Sequence, residues 1–161
     1  MIRSCSDADV PAIDAVINAA AEAYRASIPA DCWHEPYMPR RELLAEIAAG
    51  VRFWGRDDAG SLVGVMGVQR VRDATLVRHA YVLPAYQGRG VGGELLDAIV
   101  RQSTRPLLVG TWAAAEWAIR FYERNGFHLV PADEKDRLLD AYWTIPARQR
   151  DTSVVLRYGG A

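Results

Sequence analysis

The run Tyr86-Gln87-Gly88-Arg89-Gly90-Val91-Gly92-Gly93-Glu94-Leu95-Leu96 joins a glycine-rich turn directly to an amphipathic helix, a junction suited to holding a pyrophosphate. Glycine has no Cβ, so the backbone approaches a ligand closely and takes positive φ at little steric cost. The first N–H groups of the helix lack intrahelical partners, and together with the helix dipole they form an anion site. Upstream, Ala74 to Leu83 is rich in β-branched and aromatic residues and is ended by Pro84. The unit therefore reads strand, loop, helix.

The spelling discriminates among three phosphate motifs. A Walker loop needs Gly-Lys-Ser/Thr to reach terminal phosphates and magnesium, whereas this loop continues Gly92-Gly93-Glu94. Gly88, Gly90 and Gly93 satisfy GxGxxG, but a dinucleotide fold runs its strand straight into the first glycine and places an acid on a second strand. Here Pro84 to Gln87 intervene, and the next strand-like run, Leu107 to Trp112, carries no acid. The third spelling is Gln-x-x-Gly-x-Gly, from Gln87 to Gly92, preceded by Val82-x-Pro84. It resembles the GCN5-related N-acetyltransferase (GNAT) family, in which this loop binds the pyrophosphate of acetyl-CoA. A second segment, Ala118-Ile119-Arg120-Phe121-Tyr122-Glu123-Arg124-Asn125-Gly126-Phe127, looks like the family's helix with a Phe-Tyr pair, closed by Gly-Phe. Gly126 stands where a helix C′ residue takes left-handed geometry. The resemblance covers residues 60 to 130 by motif and the flanks by element order.

That resemblance implies roles. Acetyl-CoA (coenzyme A) would lie in the cradle of Gly88, Arg89, Gly90, Val91, Gly92 and Gly93, with the Arg89 cation beside it. The backbone N–H of Val82 or Leu83 would hold the acetyl carbonyl, and Tyr122 would face the leaving thiolate. A phenol near pKa 10 is a weaker acid than a thiol near 8.5, so full proton transfer is uphill by about 2 kcal/mol. Tyr122 is thus expected to act mainly as a hydrogen-bond donor to developing negative charge. The strand before the loop has no acid where many members carry a glutamate; His79 is its one residue with a suitable pKa for a base. A structural histidine is the competing reading, and the neighbouring Arg78 would pair with an acid. Ala113-Ala114-Ala115-Glu116 stands where many members carry an Asn, so one cofactor contact is absent. The acceptor amine would be walled by the segment Ile28 to Pro39, with Trp33, Tyr37 and Met38 as apolar surface and Asp31 or Glu35 attracting an ammonium group. The same aromatics would alternatively pin the loop to the core.

The elements that must position these groups follow the family order. A strand over 1–5 and a helix from Val10 to about Tyr24 come first, with Ile13, Val16, Ile17 and Tyr24 near one face. A helix over 40–49, strands at 51–54, 62–68 and 74–83, and a helix to about Gln102 follow. The remainder reads strand 107–112, helix 113–125, strand 127–130, a charged helix 133–140 and a last strand 153–156. The expected fold is α/β, a mixed and mostly antiparallel central sheet flanked by helices, as one N-acetyltransferase domain over 1–161.

The chain has 161 residues, 50% hydrophobic and 24% charged, enough for one domain with a substantial core. Its net charge of −1 carries no basic cluster, which disfavours nucleic acid as a partner. Cys5 and Cys32 form no metal-ligand spacing and read as reduced thiols of a cytoplasmic protein; no metal is expected. No apolar run has the length of a membrane span or signal peptide. The expected partner is a small-molecule amine, and a homodimer is one candidate assembly among those the sequence leaves open. Two functions are consistent with these residues: an acetyl-CoA-dependent N-acetyltransferase acting on a primary amine by direct attack in a ternary complex, and a non-catalytic acyl-CoA-binding or sensing domain.

Overall fold

The computed structural model describes residues 1–159. Seven strands form one sheet in the order β1-β2-β3-β4-β5-β7-β6. They are β1 (Ile2–Ser4), β2 (Arg52–Asp58), β3 (Ser61–Val71), β4 (Ala74–Val82), β5 (Leu107–Trp112), β6 (Phe127–Leu129) and β7 (Ser153–Tyr158). Six α-helices accompany them: α1 (Val10–Ala21), α2 (Arg40–Ala48), α3 (Val91–Gln102), α4 (Glu116–Arg124), α5 (Ala132–Tyr142) and α6 (Ala147–Asp151). Strands β2, β3 and β4 form the expected antiparallel meander. Its first reversal is tight because Ala59 and Gly60 both take positive φ, 48° and 83°, the backbone that matches strand twist in a short hairpin. All strand pairs are antiparallel except β4 with β5. The mixed, mostly antiparallel sheet is as expected.

Side-chain alternation along the strands divides the core between two faces. Val65 and Tyr81 pack with Ile13, Ile17 and Leu43 of α1 and α2. On the same face Leu76, Leu108 and Val155 meet Leu139 of α5. Met66, Val77, Val109 and Leu156 point the other way, against Leu95, Leu96 and Ile99 of α3 and Tyr122 of α4. The phosphate loop leaves β4 between these two layers.

The differences from the sequence reading lie at element ends. Helix α1 stops at Ala21 and continues as 3₁₀ turns over Glu22–Ser27, ahead of an extended Ile28 and Pro29. Helix α4 begins at Glu116, since the Ala113 N–H is held by the Thr152 carbonyl at 2.8 Å. Helix α6 is an addition: five residues are too few to show a helical period.

Candidate active site

Gly88 and Gly90 take positive φ, 74° and 83°, so the chain turns sharply into α3. Gly90 occupies the N-cap, where no side chain caps the helix, and the first helical bond is Glu94 N–H to the Gly90 carbonyl at 3.0 Å. The N–H groups of Val91, Gly92 and Gly93 therefore point out of the helix start without an intrahelical acceptor. Gly92 is needed for packing as well: a Cβ there would stand 3.2 Å from the Phe121 ring. Gly93 faces the Asn125 Oδ1, 3.7 Å from an ideal Cβ. A groove of about 550 Å³ runs from this loop between Val82 on one side and Trp117, Phe121 and Tyr122 of α4 on the other. The Arg89 guanidinium lies over the Tyr86 ring at 5.2 Å, while Arg120 and Arg124 border the groove from α4. Unshared donors, glycine backbone and flanking cations fit a diphosphate.

The groove exists because two neighbouring strands part. Parallel pairing of β4 with β5 covers only Thr75, Leu76 and Val77 opposite Leu107, Leu108 and Val109. Beyond Val77 the far edge of β4 is free. Of the two N–H groups expected for an acyl carbonyl, Leu83 is excluded, since it donates to the Val63 carbonyl at 2.8 Å. Alternation in the antiparallel ladder turns the Val82 N–H and C=O to the opposite side, into the gap. Its carbonyl there accepts from Gln87 Nε2 at 3.1 Å. Register decides between the two residues.

A second, smaller cavity of about 130 Å³ opens on the α1, α2 and α5 side, walled by Tyr37, His79, Thr111, Trp143 and Gln149 among others. Both cavities share Tyr24, Ala80, Tyr81 and Tyr122, so they meet at a ring of phenols. Tyr122 is buried, T-shaped against Phe121 and Phe127 at 5.1 and 5.6 Å. Burial pushes its phenol well above the ordinary value. Burial also raises Tyr24 and Tyr81, reinforced by neighbouring phenols. All three are protonated donors at neutral pH. Trp117 rests on Tyr24, ring centroids 4.5 Å apart, across the mouth of the groove.

His79 lies in a bulge of β4, where Met66 alone faces the span between Arg78 and Tyr81. Its φ is +52°, a left-handed conformation that costs a non-glycine residue on the order of 1 kcal/mol. The bulge turns the imidazole to the α2 side. There its Nε2 bonds Glu46 Oε2, and its ring stacks on Phe53 at 6.1 Å. Arg78 donates to Glu46 Oε1 at 3.1 Å and to Gln69 Oε1 at 2.9 Å. Desolvation pushes the Glu46 carboxyl up, but the His79 hydrogen bond and the charges of His79 and Arg78 outweigh it and hold the group below its ordinary value. The carboxylate that meets β4 at the bulge comes from α2. Its sequence signal is a glutamate three residues after Leu43, on the buried stripe of an amphipathic helix.

The residues of the expected acceptor wall are divided between the smaller cavity, the core and the surface of the loop. Tyr37 lines the smaller cavity, its ring centroid 6.3 Å from that of Tyr81. Met38 is buried in the core with 4% exposure, its backbone clasped by the Asn18 amide at 2.9 and 3.0 Å. Trp33 packs on Tyr37 and donates its indole N–H to Glu35 Oε1 at 2.8 Å. Glu35 also pairs with Arg25 at 3.3 Å, and Asp31 pairs with Arg148 of α6 at 3.1 Å. Neither acid is a free carboxylate for an ammonium group. The opposite wall, Trp143, Ile145 and Gln149, comes from the C-terminal segment, whose spacing carries no motif. Ala115, where an Asn was absent, is fully buried at the start of α4; the Asn125 amide, at the far end of that helix, is taken up by the Phe121 carbonyl at 2.8 Å.

Residues 49–129 match the family model described as acetyltransferase (GNAT) domain. No curated protein sequence matches the chain. Among solved structures, the PaiA N-acetyltransferase of Thermoplasma acidophilum, in complex with coenzyme A, superposes with a TM-score of 0.73 at 17% identity, over 99% of this chain and 98% of that one. An acetyltransferase of Streptococcus agalactiae gives 0.73 at 18%, over 99% and 98%. YncA of Salmonella typhimurium, a putative acetyltransferase solved with acetyl-CoA, gives 0.65 at 23%, over 81% and 80%. These likenesses establish a shared fold. The matched region spans the meander, the glycine turn, the parted strands and Tyr122, and on that ground the chain belongs to the GNAT acetyltransferase family.

Proposed function

We propose that the protein is an acetyl-CoA-dependent N-acetyltransferase that acetylates a primary amine of a small molecule by direct attack in a ternary complex. The observation that carries this reading is the meeting of the two cavities at Tyr24, Ala80, Tyr81 and Tyr122. Acetyl-CoA, when bound, supplies a thioester carbonyl activated toward amines. The N–H groups of Val91, Gly92 and Gly93 hold its pyrophosphate, and the Val82 N–H is the donor for the carbonyl oxygen. The Tyr122 hydroxyl donates to the sulfur as negative charge develops there. His79 takes the proton of the attacking amine. Neither cysteine borders either cavity, and burial pushes the Cys5 thiol up to about 11, which argues against a covalent acyl-enzyme on that thiol.

Thiol release tests the function. Benzylamine, 2-phenylethylamine, histamine, lysine and spermidine are supplied in turn with acetyl-CoA. Release that depends on an amine and yields its N-acetyl derivative is expected. Acetyl-CoA binding with no release across the panel would instead favour an acyl-CoA-binding domain.

A further inference from the structure

We propose that Glu46 is a positioning residue for the transfer: from α2 it anchors the His79 imidazole and sets the pH at which that ring accepts a proton from the amine. The proposal rests on the reading of His79 as the base. His79 is held on two sides and faces a cavity on a third. Phe53 of β2 stacks on its ring, Glu46 bonds Nε2, and the cavity shared with Tyr37 and Tyr122 lies beyond it. The charged groups around it are Glu46 and Arg78, with Arg78 also held by Gln69 of β3. Tyr24, Tyr37, Tyr81 and Tyr122 are the remaining titratable neighbours in the cavity wall. With 13% and 19% side-chain exposure for His79 and Glu46, water screens the pair little.

The two arms of this cluster act with opposite sign. The Glu46 carboxylate favours imidazolium over imidazole, so its removal lowers the pH at which His79 titrates. Arg78 disfavours imidazolium and competes for the same carboxylate, so its removal raises that pH. The neutral ring is the base, and the ascending limb of kcat/KM follows it in both cases. A residue that only braced the fold would not move the two variants in opposite directions.

The experiment is an NMR titration of the histidine Cε1–H signals in the full chain, where only His34, His79 and His128 contribute and His79→Gln identifies the third. In Glu46→Gln the His79 midpoint is expected to fall, and in Arg78→Gln to rise. The kcat/KM limb with the best amine of the panel should shift likewise, with KM for acetyl-CoA unchanged. An unmoved His79 midpoint in Glu46→Gln overturns the proposal. If His79→Gln abolishes the limb while the Glu46→Gln profile superimposes on wild type, His79 remains the base and the Glu46 role falls. If His79→Gln leaves the limb in place, both fall. Should Glu46→Gln fail to fold, Glu46→Asp keeps the charge at shorter reach: kcat drops while the limb stays, and an unchanged kcat overturns the proposal.

Discussion

At the scale of single residues, the site depends on where protons reside. Desolvation alone raises the Tyr122 phenol, which makes full proton transfer to a thiolate still less favourable and favours the proposed role of hydrogen-bond donor. Tyr122→Phe removes one oxygen and leaves the ring packed on Phe121 and Phe127. Its kcat is expected to fall by about 10²- to 10³-fold, as for loss of one donor to developing charge, with KM for acetyl-CoA and Tm essentially unchanged. Steady-state kinetics with a melting curve check this; wild-type kcat would reduce Tyr122 to a packing residue. Gly90 and Gly92 differ in what they require. At Gly90 the demand is φ of 83°, so Gly90→Ala should cost about 1 kcal/mol of stability and weaken cofactor binding. At Gly92 the demand is space beside Phe121, and Gly92→Asp adds a like charge beside the diphosphate. Calorimetric titration with CoA should show the greater loss for Gly92→Asp; equal affinity in folded variants would remove the diphosphate from this loop.

At the scale of elements, polar contacts hold the first strand and helix to the meander. Arg3 of β1 donates to Asp9 before α1 at 2.8 and 2.9 Å and to Asp57 of β2. The Arg3 guanidinium, with the Ser6 N–H, holds the Asp9 carboxyl well below its ordinary range. A depressed folded value contributes stability above the unfolded pKa, near 3.9, and that contribution is lost as pH falls through the folded value. Arg3→Met should therefore lower Tm at pH 7, and its further drop on acidification below pH 4 should be smaller than wild type's. A parallel fall in both proteins would contradict the linkage. Sequence pattern showed these elements because each has a local signal: alternation in β4, a glycine turn before α3, and Gly126, whose φ is +91°, after α4. What joins them was not visible. The bulge at His79, the register that selects Val82 over Leu83, and the Asp31 to Arg148 pair are contacts between distant segments, with no period to reveal them.

At the scale of the whole molecule, the parted strands β4 and β5 open a groove on one side of the sheet, and the bulge in β4 opens a pocket on the other. The phosphate side was legible because it is built from contiguous sequence, Gln87 to Gly93. The expected acceptor side was not: only Tyr37 of the expected wall borders the pocket, Trp143 and Gln149 reach it from the C-terminal segment, and the carboxylate on His79 comes from Glu46 of α2. Direct transfer across the Tyr24, Tyr81 and Tyr122 junction is the central claim. A rapid-quench single turnover tests it, with protein in excess over acetyl-labelled acetyl-CoA, with and without the best amine of the panel, followed by intact-protein mass. Label is expected to pass to the amine in step with thiol release, with no thiol release in the absence of amine and an unchanged protein mass. A burst of thiol without amine, with one acetyl group on the protein, would contradict it.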